Sequence, residues 1–214
     1  MATYLTKQAR CPICGKEFTV QIPGSYTIYG EMRELDGNTH TPEVYEMVSR
    51  CPLCGYVCGD FDERLDWRVP ETLKSEEYQR ILKDENIPEN GKKAYLAALL
   101  AEKKEDPHTA GIWYLRAYWA VRGAEGQERF SEEARDKAIG MIQESLKKEP
   151  DLNAAMVLVD LLRQKGEFGE AREAVVALEK FLGNDLNLVK VAAFERGLIA
   201  AGDDRPHLLS EVLK

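Results

Sequence analysis

Cys11-Pro12-Ile13-Cys14-Gly15-Lys16 and Cys51-Pro52-Leu53-Cys54-Gly55-Tyr56 are two copies of one pattern: cysteine, proline, a variable residue, cysteine, glycine. A C-x-x-C turn presents two thiolates to the same point in space, and two such turns complete the four soft ligands that a tetrahedral zinc ion prefers. Proline fixes φ at the start of the turn and glycine accepts the left-handed conformation that closes it. Backbone N–H groups then point at the sulfurs and disperse the negative charge of four thiolates. One such turn can arise by chance, whereas a matched pair in a short stretch is a specific signal. The metal ligands read from sequence are therefore Cys11, Cys14, Cys51 and Cys54, holding one structural zinc ion. Iron in a rubredoxin-like site, which uses similar turns, is the chemical competitor. Zinc ranks first because the site needs only a crosslink and no electron-transfer feature accompanies it.

The chain has five cysteines, and all lie before Asp60. An odd number, four of them in C-x-x-C pairs, points to metal rather than disulfides, and the N-terminal MATYLTKQARCP lacks the apolar run of a signal peptide. A cytoplasmic protein is expected. A thioredoxin-type disulfide needs a single redox pair at a helix start in an α/β fold, which neither the duplication nor the flanking glycines fit. The fifth cysteine, Cys58, reads as a small buried residue, with an alternate ligand or redox-sensitive neighbour as the other reading. His40 lies between the two turns in GNTHTPE, an exposed-looking loop, and is a weak candidate ligand. His108 and His207 sit beside prolines at helix starts, where capping or exposure is the plain reading.

Around the cysteines, Phe18, Val20 and Ile22 alternate with polar residues, YTIY (26–29) and VYEMV (44–48) are β-favouring runs, and PGS (23–25) and DGN (36–38) supply turns. These read as short strands of a zinc ribbon, too small to hold together without its metal. The composition changes near WRVPETLKSEE, which sets a ribbon domain at 1–70 and a helical domain at 71–214. Ser75, followed by Glu76 and Glu77, has the form of a helix start, with Tyr78, Ile81 and Leu82 as its apolar stripe and Pro88 and Gly91 marking its end. Further stripes follow at Ala94, Leu96, Ala97 and Leu100; at Trp113, Leu115 and Trp119; and at Ala134, Ala138, Met141, Ile142 and Leu146 before Pro150. Others lie at Ala155, Leu158, Leu161 and Leu162, and at Ala171, Ala174, Val175, Leu178, Phe181 and Leu182. Leu188, Val189, Ala192 and Ala193 begin another helix, and Leu208, Leu209 and Val212 a last short one. Ala138 and Ala171 are 33 residues apart, and GEFGEA from Gly166 is similar to the turn inside a tetratricopeptide repeat. The fold expected is mainly α, a small N-terminal β zinc ribbon followed by a tetratricopeptide-like helical repeat domain. An irregular helical bundle is the alternative.

With 37 acidic and 29 basic side chains in 214 residues, the formal charge is -8. Polyanionic partners, nucleic acid or membrane surface, are disfavoured on that count. The three histidines are too scattered for a Ser/His/Asp set, the paired carboxylates in KSEEYQ, LKDEN and FSEEAR complement helix dipoles, and there is no glycine-rich phosphate loop. Of the aromatic group Trp113, Tyr114, Tyr118 and Trp119, the two tryptophans lie on opposite helix faces. Either they pack in two layers, or one lines a groove.

CPICGKEF near the start, CPLCGY after a β-favouring run and the helices beyond resemble a bacterial family known as domain-of-unknown-function family 2225. The resemblance implies a metal-binding N-terminal domain, carries Cys11, Cys14, Cys51 and Cys54 over as ligands, and implies no activity. Val57 and Cys58 depart from the small-residue pattern expected after the second turn. The function expected is that of an adaptor or scaffold, not an enzyme, binding a protein or peptide on its helices; a redox sensor or enzyme using the cysteines is the alternative. Arg116, Asp160 and Arg163 are expected partner contacts, with Trp113 or Trp119 as an anchor. A direct consequence of the charge is that DNA and RNA should not bind at physiological salt. Submicromolar binding that weakens steeply with added salt in a titration would contradict the reading.

Overall fold

The computed structural model describes residues 2–28, 32–183 and 185–213. Strands β1 (Thr3–Arg10) and β2 (Glu17–Ser25) pair antiparallel with Arg10 opposite Glu17, so the first cysteine turn is the connection of a hairpin. Strands β3 (Ser49–Arg50) and β4 (Val57–Cys58) repeat the arrangement around the second turn, with Arg50 opposite Val57. In β2 the period of two holds: Val20 is buried and Phe18 and Ile22 half-buried, while Thr19 and Gln21 face water. β1 adds to the strands expected from sequence. Its apolar Tyr4 and Leu5 are adjacent and stay 43% and 62% exposed, so no alternation announces it.

Two expected strands are absent. Tyr26–Ile28 carry no strand, and Tyr29, the end of that run, lies outside the described residues. Residues 44–48 are not a strand either, because Pro42–Tyr45 forms a 3-10 turn and pairing begins only at Ser49. Proline suits the first position of a helical turn and gives nothing to a ladder, and Tyr45 and Val48, three apart, are buried together. Of the two turn signals, DGN closes a turn with Glu34 N–H on the Asn38 carbonyl at 2.8 Å, whereas PGS lies within the end of β2.

Among the described residues there are eight α-helices: α1 (Val69–Thr72), α2 (Glu76–Lys83), α3 (Glu89–Lys103), α4 (Pro107–Val121), α5 (Glu128–Lys148), α6 (Leu152–Gln164), α7 (Phe168–Glu179) and α8 (Leu186–Ala201). The chain is thus mainly α with a small N-terminal β ribbon. Ser75 caps α2 by accepting the Tyr78 N–H at 3.3 Å, and Asp106, Asp151 and Asp185 cap α4, α6 and α8 in the same way. None of the helices described is long and apolar enough to cross a membrane.

The chain packs as two compact units, residues 1–27 with 42–141 and residues 28–41 with 142–214. This division differs from segments meeting at residue 70. In the first unit the ribbon and helices share one core: α3 packs against β4 and the 42–45 turn, and Tyr78 on α2 bonds to the second cysteine turn. Ala94 to Ala101 are buried all round α3, which marks it as the central helix. In the second unit, α6 and α7 form a helix–turn–helix closed by Gly166 in the left-handed region, and α7 and α8 pack beyond it. Ala138 and Ala171 are both fully buried. One such helix pair does not establish the tetratricopeptide-like repeat expected from the 33-residue spacing.

Gly91, expected to end a helix, instead lies inside α3. A Cβ there would meet Val121 Cγ1 at 2.7 Å, so glycine is what lets α3 and α4 approach. Gly140 in α5 faces open space. Gly91→Ala should therefore lower the unfolding midpoint in denaturant, overpacking costing about 1–3 kcal/mol, whereas Gly140→Ala should raise stability by up to ~1 kcal/mol.

Candidate metal centre

Each cysteine turn is built by the same hydrogen bonds. Cys11 N–H donates to the Lys16 carbonyl at 2.9 Å and Gly15 N–H to the Cys11 carbonyl at 2.9 Å; Cys51 N–H donates to Tyr56 at 2.8 Å and Gly55 N–H to Cys51 at 3.0 Å. Gly15 and Gly55 have φ of 74° and 78°, the left-handed conformation that side chains resist. The two turns are copies in structure as well as in sequence.

The turns bring four sulfurs to one point. Cys11 Sγ lies 3.5 Å from Cys54 Sγ and Cys14 Sγ 3.6 Å from Cys51 Sγ, and all four lie within 4.8 Å of one another. A metal–sulfur bond of about 2.3 Å gives a tetrahedron an edge of about 3.8 Å, and the spacings fit that figure. Disulfides, with sulfurs about 2 Å apart, do not. Among the described residues no other grouping of His, Cys, Asp and Glu converges in this way. The donor set is chemically right for a metal ion, and nothing else in the fold explains why four thiols meet.

Backbone N–H groups point at the sulfurs: Ile13 and Cys14 at Cys11, Lys16 at Cys14, and Tyr56 at Cys54. As free thiols they differ. The Lys16 N–H draws exposed Cys14 below the ordinary thiol range, while burial pushes Cys11 and Cys54 above it. A divalent cation reverses that preference by stabilising the thiolates, so binding releases protons and acid opposes it.

Aromatic packing carries the geometry. Phe61 meets Phe18 of the first hairpin at 5.0 Å and Tyr56 of the second at 5.9 Å, both edge-on. Lys7 on β1 pairs with Asp60 and Asp62 beyond the second turn. Buried Tyr78 donates to the Gly55 carbonyl at 2.9 Å, and a Cβ on Gly55 would press within 2.5 Å of Leu82 Cδ2. The second turn is seated on α2, whereas Gly15 has open space around it.

The other residues singled out from sequence fall elsewhere. Cys58, on β4, is half-buried and outside the group of four; burial pushes its thiol up to about 12, so it stays protonated near neutral pH. His40 sits at φ 52° with Nε2 3.0 Å from Glu34 Oε1. His108 is exposed, and His207 pairs with Asp203 and Glu211. Trp113 and Trp119 are both half-buried, because Tyr114 and Tyr118, one turn apart, take the inward face of α4. Arg116 is half-buried and stacks on Trp113 at 4.4 Å.

Asp160 and Arg163 are not surface contacts. Both are 0% exposed and are spent on each other and on Glu195, so no partner reaches them. Phe181 moves the opposite way: it continues the apolar stripe of α7 but lies beyond the helix end at Glu179 and is 68% exposed. The Gly183 that follows was the sequence signal that the helical face stops short of it.

Cys11→Ser or Cys51→Ser should abolish stoichiometric metal binding and loosen the ribbon while circular dichroism retains most helix signal. Metal should be released as pH falls, and Gly55→Ala should lose more metal affinity and stability than Gly15→Ala, whose cost is the left-handed strain of about 1–2 kcal/mol alone. Equal losses from the two glycine variants would show that the contact with Leu82 is immaterial.

Comparison with curated proteins and with solved structures returned no match. A family model described as an uncharacterized protein conserved in bacteria (DUF2225) matches residues 4–188, a span that takes in both cysteine turns and the helices through α7. With most of its length covered, the chain belongs to this bacterial family.

Proposed function

We propose that the four thiolates hold one structural zinc ion and that the chain is a cytoplasmic protein-binding adaptor with no reaction of its own. The observation that carries the metal reading is the closed shell of sulfur. A catalytic zinc keeps one position for water or substrate, whereas four cysteines at tetrahedral spacing fill every position. Iron would fit the same sulfurs, but a site that only crosslinks two hairpins gains nothing from redox change. Zinc binding in small domains is folding free energy, on the order of 10 kcal/mol, which is the scale a ribbon this thin requires.

The adaptor reading is supported by an apolar groove of about 490 Å³ in the C-terminal unit, bordered by Leu146, Leu152, Ala155, Ala174, Ala177 and Phe181. Buried Leu158 and Leu178 also line it, and Ala177 and Phe181 are exposed at it. A helical segment with an apolar face fits such a groove, and the chain's charge of -8 favours one with basic residues beside that face. The structural role of the buried side chains leaves this surface as the better place for contacts than Asp160 or Arg163.

Metal analysis of the purified protein should find one zinc per chain, and a red protein with iron absorbance would overturn the choice of metal. Ala177→Arg and Phe181→Glu change exposed residues, so stability should stay within about 0.5 kcal/mol. Both variants should lose a partner that co-purifies quantitatively with the natural chain from its own cell. Unchanged co-purification would place the binding surface elsewhere.

A further inference from the structure

Within the unit of residues 28–41 and 142–214, Asp36, Asp160, Glu195 and Arg163 are each 0% exposed. Two of these carboxyls, Asp160 and Glu195, bond the one guanidinium. Arg163 is fully engaged: Nε donates to Glu195 Oε2 at 2.8 Å, Nη2 to Asp160 Oδ1, and Nη1 to the carbonyls of Asp203 and Arg205 at 2.8 and 2.7 Å. Gln164 Nε2 donates to Asp160 Oδ2 at 2.5 Å, and Asp36 Oδ1 accepts the Asn38 N–H at 2.9 Å. One atom is left over. Glu195 Oε1 is buried without a donor, and the Glu195 and Asp160 carboxyls lie within hydrogen-bonding reach of each other.

Two ionised carboxylates offer only acceptors and cannot bond to each other; a single proton between them converts repulsion into a hydrogen bond. With Asp160 and Glu195 both ionised, two carboxylates on the single Arg163 guanidinium would leave one buried negative charge in excess, a state that proteins avoid by protonation. A metal ion is not the alternative, since these carboxylates do not converge as the cysteines do. We propose that Asp160 keeps its proton at neutral pH and donates it to the buried Glu195 carboxylate, and that this proton locks the chain after α8, through Arg163, onto α6 and α8. The lock is sensitive to alkali.

The groups that face the pair come from every neighbouring element: Arg163 and Gln164 from α6, Asp36 from the 28–41 segment, and the Asp203 and Arg205 carbonyls from the chain after α8. The Asp203 carboxylate is held by Arg205 and His207. Burial, then the Glu195 and Asp36 charges, hold the Asp160 carboxyl well above its ordinary range. A raised folded value means that the stability it contributes is complete below the unfolded value near 4 and is lost as pH rises through the folded one.

Glu195→Gln tests this with little change of shape. The amide keeps the shape of the carboxyl without its charge, and its carbonyl oxygen can still accept from Arg163 Nε. In the full chain, the thermal midpoint of the natural protein should fall between neutral and about pH 9.5, and the variant should show a smaller fall. Infrared spectra of the natural protein at neutral pH should contain a protonated-carboxyl stretch that is missing from the variant. An equal fall in both proteins, or no protonated carboxyl in the natural one, would overturn the proposal. Should Glu195→Gln fail to fold, the infrared band of the natural chain decides by itself.

Discussion

Two hairpin turns meeting sulfur to sulfur are the constraint on which the N-terminal unit depends. Each hairpin is a two-stranded ribbon, and β3 with β4 spans only two residues a side, so neither can be stable by pairing alone. Phe18, Tyr56 and Phe61 bury some apolar surface between them, but most of β1 is exposed. What holds the turns at a common point must act at that point. Four neutral thiols attract one another only weakly, whereas a cation bound by four thiolates would tie both turns to that point.

The helices add to this in a particular way. Tyr78 and Leu82, on one face of α2, grip the second turn from outside the sulfur cluster, one by a buried hydrogen bond and one by close packing on Gly55. The first turn has no such support at Gly15. The cysteine pair of the second turn is therefore positioned by a rigid core, and the first pair is brought to it by its hairpin. That asymmetry is a property of α2, and the matched sequences of the two turns do not reveal it.

Legibility from sequence followed the range of the interactions involved. The cysteine turns, the Ser75 cap and the end of α5 before Pro150 were readable because each is decided within a few residues. The exchange of residues 28–41 into the C-terminal unit was not, since it rests on pairings such as Leu35 N–H to the His207 carbonyl at 3.0 Å, far apart in the chain. Local rules also misread Gly91, whose reason is the Val121 side chain of another helix, and residues 44–48, where β-favouring side chains were overruled by Pro42. The charged Asp160 and Arg163 suggested surface because a sequence does not show compensation from Glu195, 32 residues beyond Arg163.

Residues 32–41 show why such a buried ionic cluster persists at all. Their one large buried apolar side chain is Leu35, while Glu34, Asp36, Asn38 and Thr41 are buried and polar. Hydrophobic burial alone would hold this stretch weakly and in no unique register. Polar groups cost more to bury than they return unless every partner is in place, and that penalty excludes the near-miss arrangements. The Glu34 bridge to Leu208 and the Leu209 N–H to the Arg33 carbonyl at 2.7 Å fix the direction of the segment. An apolar replacement of the cluster could be as stable, but it would no longer distinguish the native register from its neighbours, which is the use buried ion pairs serve best.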